Sequence, residues 1–369
     1  MKTVWINNPE EFQVIANKWD EALFESGDDN PFLLSFFILI WWKYYAEKRE
    51  FLIFVVYEKN QIIGGIPLCV ETNNGKRKLV YPGETAANYT EFLSINPKIN
   101  LLNLLVNELI KRSDWDILCL DRFRVSKLIH NSNKSFPSSI RMVSYNSSPA
   151  YVIDLNKDDI LTFSWLPKKL RYYLRKSREG LSNIGNIELV QLTERNEIIR
   201  IIDEFYKLGV KSFSSRGKIN EFEDEKYKAY FKELLLEYHK NEMLDVNVLY
   251  VNDLIIAIHI GYTLTKNLNY VLTTINWEVS ELNPGHQLLF ELVKLGASRG
   301  DQYLDMYTGD VLYKRQWCTE KKSVNKIVIV RDTVMKKVVR NLVSFFDQFN
   351  FIKRCWYLGK RIKRLLFLK

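Results

Sequence analysis

MLDVNVLYVNDLIIAIHIGYTLTKNLNYVLTTINWEVSELNPGHQLLFELVKLGASRGDQYLDMYTGDVLYKRQW, residues 243–317, sets the order of elements from which the rest of the chain is read. The apolar runs 246–250 and 254–262 are split by the polar pair Asn252-Asp253, the pattern of a β-hairpin. A third β-rich run covers 268–274, and a polar loop then ends at Pro284-Gly285. From His286 the residues Leu288, Leu289, Leu292, Val293 and Leu295 recur at helical spacing, and Gly300 closes the helix. A last strand, 303–307, leads to Gly309 and the cluster Tyr313-Lys314-Arg315-Gln316-Trp317. A loop entering a helix at Pro-Gly presents unsatisfied backbone N–H groups and a positive dipole end, which suits a phosphate; it is also an ordinary way to start a helix.

In order and spacing this stretch resembles the GNAT-type acyltransferases of the CelD/BioF2-like group, relatives of the FemABX peptidyltransferases. The matching elements are Asn252-Asp253-Leu254-Ile255-Ile256-Ala257, then Asn283-Pro284-Gly285-His286-Gln287-Leu288-Leu289, then Asp305-Met306 with Gly309, Tyr313-Lys314 and Trp317. The resemblance covers about residues 1–332 and is weaker in the first half. It implies a mixed α/β protein of two tandem GNAT-like domains using acetyl-CoA or another acyl-CoA as donor. Pantetheine would add to the sheet edge along Tyr270, Leu272, Thr273 and Thr274, with pyrophosphate at Gly285, His286 and Gln287. Asp305 stands where an acid could take the acceptor's proton, or could brace the Gly309 loop, and Tyr313 and Lys314 could donate to substrate or leaving thiolate. The chain lacks the full glycine-rich pyrophosphate loop of ordinary GNAT enzymes, and Met306-Tyr307-Thr308 replaces a stretch that often carries Arg. An aminoacyl-tRNA donor and a non-catalytic binding or assembly role therefore stay open beside the acyl-CoA reading.

The helix–helix–hairpin layout of residues 10–70 recurs at 197–262. Tyr57-Glu58-Lys59-Asn60-Gln61-Ile62-Ile63-Gly64 has the local shape of residues 250–257, which suggests a duplicated α/β unit. A strand at 151–155 opens the second half after a Ser/Asn-rich stretch, 126–148, that reads as a loop-rich connection. The expected units are 1–150, 151–332 and a tail, 333–369. Glu84, Asn88 and Tyr89, in and after the Tyr81-Pro82-Gly83 turn, are acceptor-side candidates or turn formers. The basic helix 165–178 offers Arg171 and Arg175 on one face for substrate phosphates, or simply a solvated face. The polar loop 212–224, with Arg216 and Phe222, lines the acceptor site in the family or is an exposed connection.

Composition narrows the partners. The formal charge is +9, but the tail holds ten Lys and Arg against the single acid Asp347, so residues 1–332 sum to zero. A neutral body does not suit a DNA-binding protein. Cys69, Cys119, Cys318 and Cys355 are scattered, as are the four histidines, which points to neither a disulfide framework nor a metal site and fits a reducing cytoplasm. In the tail, Ile352, Cys355, Trp356, Gly359, Ile362 and Leu366 share a helical face, with Lys353, Lys360, Arg361 and Arg364 away from it. Such a helix fits peripheral contact with an anionic membrane or docking on its own domain. The function expected is acyl transfer to an amino or hydroxyl group of a small-molecule or lipid-linked amino sugar, a precursor of a surface polysaccharide.

Overall fold

Each of two sheets carries the same run of elements. The structure, a computed structural model, describes residues 1–83, 87–124, 139–214 and 224–331, with the side chains of 212–214 outside it. The predicted tail helix and the residues Glu84, Arg216 and Phe222 therefore lie outside the described residues.

The first sheet begins with β1 (Lys2–Ile6) and α1 (Pro9–Ser26). Asn8 caps α1, its side chain accepting from the Glu11 amide at 2.7 Å, Pro9 opens the first turn, and Gly27 ends the helix at φ 67°. The apolar stretch 31–42 after it forms a 3-10 turn (Pro31–Leu33) and most of α2 (Ser35–Tyr45). Trp19 of α1 donates to the Leu33 carbonyl at 2.7 Å, locking the two helices. Then follow β2 (Arg49–Glu58), β3 (Gln61–Asn73), β4 (Lys76–Val80), the short β5 (Leu93–Ser94), α3 (Leu101–Lys111), β6 (Ile117–Arg124) and β7 (Ile140–Asn146).

The second sheet starts with β8 (Ala150–Asp154), the basic α4 (Lys168–Ile184), β9 (Ile187–Leu192), α5 (Arg195–Ser214) and α6 (Glu225–Lys240). The hairpin β10 (Leu244–Val251) and β11 (Leu254–Leu264) follows, with β12 (Asn267–Ile275), α7 (Pro284–Arg299), β13 (Tyr303–Thr308), α8 (Leu312–Trp317), β14 (Glu320–Lys322) and β15 (Val324–Arg331).

Laid side by side, the sheets read β1-β2-β3-β4-β6-β15-β7 and β9-β10-β11-β12-β13-β8-β14. In each, a helix pair separates the first two strands, a hairpin follows, and one helix leads to a parallel strand. The two hairpins carry the same bulge at the same place: Val56 faces Gly64 while Tyr57 faces Ile62, and Leu249 faces Ala257 while Tyr250 faces Ile255. The chain is thus a mixed α/β protein of two tandem units of like topology.

Two features depart from a simple division near residue 150. β15, from the far end of the described chain, inserts into the first sheet between β6 and β7, while β8 takes the equivalent place in the second. The stretch expected to be loop contains β7, which among the described residues is a largely exposed edge strand paired with β15. One apolar core spans the helices of both halves, the first sheet and one face of the second, including Val246, Ile258 and Tyr262. A smaller core lies between the other face, α4 and α7.

Candidate active site

A wedge opens where β12 and β13 part. They pair in parallel over only three positions, Asn267–Asn269 against Tyr303–Asp305. Beyond these, β12 stays on β11 as far as Ile275, while β13 bulges and leans toward β8, Thr308 facing Ala150. The bulge places Tyr307 at φ 59°, a left-handed conformation that a tyrosine adopts only under constraint. In the first sheet β4 and β6 also pair over three positions, but there the chain fills the opening itself. After the strand, Thr90 bridges to Phe123, its N–H donating to the Arg122 carbonyl at 3.1 Å. Among the described residues no isolated bridge of this kind is found between β12 and β13.

The filling segment reaches across to the other half. Tyr89 donates its hydroxyl to both carboxylate oxygens of Asp305, at 2.8 and 3.0 Å, and the Tyr307 amide donates to the same carboxylate at 2.7 Å. Asp305 is 5% exposed and sits at the vertex of the wedge. Burial raises its pKa above the ordinary aspartate value, against these hydrogen bonds, which makes it a stronger base than a surface carboxylate. The Tyr307 hydroxyl donates to Asn269 Oδ1 at 2.8 Å, so the vertex is held from both strands.

Lys314 lies in α8, its ammonium donating at 2.7 Å to the carbonyl of Thr308 at the end of β13. Burial pulls its pKa down to about 8, with the Asp305 charge opposing. Tyr313 is half-buried near Tyr270, and burial pushes its phenol well above the usual range. Along the proposed donor edge, Tyr270 is buried and stacked on His259 with centroids 5.3 Å apart, Leu272 is half-buried, Thr273 is exposed, and Thr274 is buried with its hydroxyl unpaired.

At the start of α7 the three residues read as a pyrophosphate site differ. The amides of His286 and Gln287 both point to the Asn283 carbonyl, at 3.0 and 3.4 Å, so Gly285 alone has an amide not taken up in this way. The Gln287 side chain turns inward and donates to the Leu174 carbonyl at 2.7 Å; it braces α4 against α7. The His286 ring stacks on Trp317 and accepts from its indole N–H at 2.9 Å, and burial lowers its pKa. A sequence reading of a helix start cannot see that Asn283, in a left-handed conformation at φ 49°, satisfies the first turn.

Arg171 and Arg175 project from the exposed face of α4. Arg171 donates to the Ser164 carbonyl at 3.1 Å, and Arg175 lies over Tyr172 and 3.8 Å from Glu179. Neither joins the vertex, whereas Asn88, half-buried, precedes Tyr89 directly. The sequence reading missed a cluster behind Tyr89. There Arg124 pairs with Asp28, Asp29 and Glu91 and lies 5.1 Å from the Tyr89 ring, and Asn267 donates to Asp29 at 2.9 Å. No local pattern marks these residues, which come from four separate segments. Among the described residues no group of His, Cys, Asp and Glu is arranged to hold a metal ion, and no helix is long and apolar enough to cross a membrane.

Residues 168–315, which contain the wedge, Asp305 and Lys314, match the family model described as acetyltransferase (GNAT) domain. No curated protein matches the chain. Among solved structures, FemX is similar with 10% identity over 92% of this chain and 100% of that one, at a TM-score of 0.64. The C-terminal domain of a putative lysylphosphatidylglycerol synthetase from Agrobacterium fabrum is similar with 10% identity, 87% and 92% coverage and a TM-score of 0.55. A conserved protein of unknown function from Bacteroides thetaiotaomicron is similar with 11% identity, 88% and 98% coverage and a TM-score of 0.50. At such identities these likenesses speak for the fold, and the family match shows an acetyltransferase (GNAT) domain over residues 168–315.

Proposed function

We propose that the protein moves an acyl group, in the simplest case acetyl, from acyl-CoA to an amino or hydroxyl group of a sugar precursor of a cell-surface polysaccharide. The observation that carries the reaction is the open wedge ending at Asp305 and Lys314 in the second half, beside a wedge that the chain has closed in the first. A pantetheine laid along the β12 edge at 270–274 would find unpaired backbone groups there, as an added strand does. Its thioester would then meet the vertex. Asp305, made more basic by burial, takes the proton of the acceptor as it attacks the carbonyl carbon. Lys314, with a pKa of about 8 near that of a thiol, returns a proton to the leaving sulfur when the tetrahedral intermediate collapses. The sugar and its polysaccharide setting rest on the resemblance to the CelD/BioF2-like group. The basic residues of 333–369 would hold such an enzyme at the inner face of a membrane, near a lipid-linked acceptor.

A second reading, with aminoacyl-tRNA as donor, is favoured by one observation: two of the three amides read as a pyrophosphate cradle are already bonded to Asn283. The thermal midpoint with and without acetyl-CoA separates the two, since a ligand of the folded state must raise it. Acyl-CoA use predicts a rise that Gly285→Asp removes. The substitution should leave the fold intact, because a Cβ at Gly285 meets only Ile275, at 3.5 Å, and an acid in the first turn of a helix is stabilising. No rise with any acyl-CoA at millimolar concentration would overturn the acyl-CoA reading.

A further inference from the structure

Tyr89 belongs to the first half of the chain, yet its hydroxyl ends at the Asp305 carboxylate of the second. The backbone on both sides of it is clamped to β6. The Thr90 amide donates to the Arg122 carbonyl at 3.1 Å, the Arg124 amide to the Thr90 carbonyl at 3.2 Å, and the Thr90 hydroxyl to the Asp121 carbonyl at 2.6 Å. Before it, the Arg122 guanidinium donates to the Ala87 carbonyl at 2.9 Å. The side chain is 2% exposed, and the Tyr307 ring and the Arg124 guanidinium each lie 5.1 Å from its ring centroid. A ring so enclosed has little room for another rotamer. At its tip the lone pairs of Asp305 can be counted, two on each oxygen. The Tyr89 hydroxyl lies 3.0 Å from Oδ1 and 2.8 Å from Oδ2, so it stands between them and covers the side they share. The Tyr307 amide takes the outer lone pair of Oδ1 at 2.7 Å. Among the described residues these two donors are the ones that reach the carboxylate, and the outer lone pair of Oδ2 is what remains.

We propose that Tyr89 is a positioning residue for acyl transfer: it fixes the Asp305 carboxylate so that the outer lone pair of Oδ2 is the one that receives the acceptor's proton. This rests on the reading of Asp305 as the base and deepens it, since the base of the second half is then held by a residue of the first. In the step itself the acceptor's nitrogen or oxygen bonds to the carbonyl carbon, its proton goes to Oδ2, and the thiolate leaves with the electron pair of the C–S bond. Tyr89 keeps its own proton throughout, because burial and the nearby Asp305 charge hold its phenol well above the usual range. Its hydrogen bond favours the ionised carboxylate, with the Tyr307 amide, against burial. The other charged groups acting on Asp305 do so through space: Asp29 opposes its ionisation, Lys322 supports it, and the Lys314 ammonium is drawn to it. Arg124 acts on the Tyr89 and Tyr307 phenols.

The test uses the full-length protein labelled with 13C at the aspartate carboxyls, in which the Asp305 signal is the one missing from Asp305→Asn. Tyr89→Phe should move the titration of that signal up by about one pH unit or more, the loss of a hydrogen bond to a charged group. The acid limb of kcat/KM, measured by thiol release from acetyl-CoA with glucosamine as probe acceptor, should move up with it. The acceptor's own titration is common to both proteins and cancels in the difference. Tyr89 replaced by 3-fluorotyrosine, a stronger donor of nearly the same shape, should move both down, and this decides the matter where Tyr89→Phe fails to fold. An unchanged Asp305 titration would overturn the proposal. So would a titration that moves while the rate profile stays put, since Tyr89 would then brace the fold and nothing more. In both cases Asp305→Asn still abolishes thiol release. Undiminished release from Asp305→Asn, or none from the wild type, is a different result: it sinks the acyl-transfer reading of the site and the role of Tyr89 with it.

Discussion

Replacing Lys314 by Met tests how the vertex stores its proton. In the unfolded chain Lys314 is protonated up to its ordinary value of 10.5, but in the folded protein only up to about 8, because it is buried. Between these values the unfolded state binds more protons, so this group makes stability rise with pH. Below pH 8 the folded protein bears the full cost of the buried ammonium, about 3 kcal/mol from the two pKa values. Methionine carries no such cost but forfeits the hydrogen bond to the Thr308 carbonyl, about 1.5–3 kcal/mol for a charged donor. At pH 7 the two terms nearly cancel, and the variant should be as stable as wild type or better by about 1 kcal/mol. As pH rises to 10.5 the wild type gains about 3 kcal/mol relative to the variant. Urea unfolding of both proteins at several values from pH 7 to 10.5 measures this difference, in which all other titrating groups cancel. Acetyl transfer, followed by thiol release, should meanwhile fall at least about 100-fold in the variant. A stability difference that stays flat over this pH range would refute the burial argument, and full turnover would remove Lys314 from the chemistry.

Asp305→Asn should lose at least about 100-fold in turnover while still binding acetyl-CoA, because it removes the base and leaves an acceptor for Tyr89 and the Tyr307 amide; undiminished turnover in the thiol-release assay would cancel the assignment. Gly65→Ala should cost about 1–3 kcal/mol in urea unfolding, since the added carbon would lie 2.4 Å from the Phe54 carbonyl oxygen and 2.7 Å from the Trp19 ring. Gly285→Ala, with its nearest neighbour at 3.5 Å and helix propensity in its favour, should be neutral or stabilising in the same measurement.

What could be read from the sequence was what is encoded locally. The β10/β11 hairpin, α7 and the strand carrying Asp305 follow from periodicity, turn residues and a C-cap glycine, each a short-range signal. Repetition of the local pattern at 57–64 and 250–257 extended as far as the shared bulge. Pairing over long distance was not legible. Nothing in Val324–Arg331 says that it belongs beside β6, and nothing near Arg124 names Asp29 or Asn267 as partners. Tyr89 stood out only as a polar residue after a Gly/Pro turn, yet it bridges the two halves through Asp305. The Gln287 side chain shows the opposite failure: its place in a helix start suggested a ligand contact, while its amide serves to join α4 to α7.

The exchange of sixth strands has a consequence for how the chain is made. β6 finds its neighbour β15 about 200 residues later in the chain, so the first half cannot complete its sheet while it emerges from the ribosome. Until Val324–Arg331 has been synthesised, the edge of β6 is an unpaired ladder of amides and carbonyls, and β7 has no strand to dock on. A nascent chain ending near residue 150 should therefore bind holdase chaperones and fail to resist protease, and the same should hold for a half cloned alone. Supplying 151–369 in trans should restore protease resistance, since that piece carries the missing strand. Synthesis thus ends with the step that closes both halves at once, which ties completion of the active-site unit to completion of its neighbour.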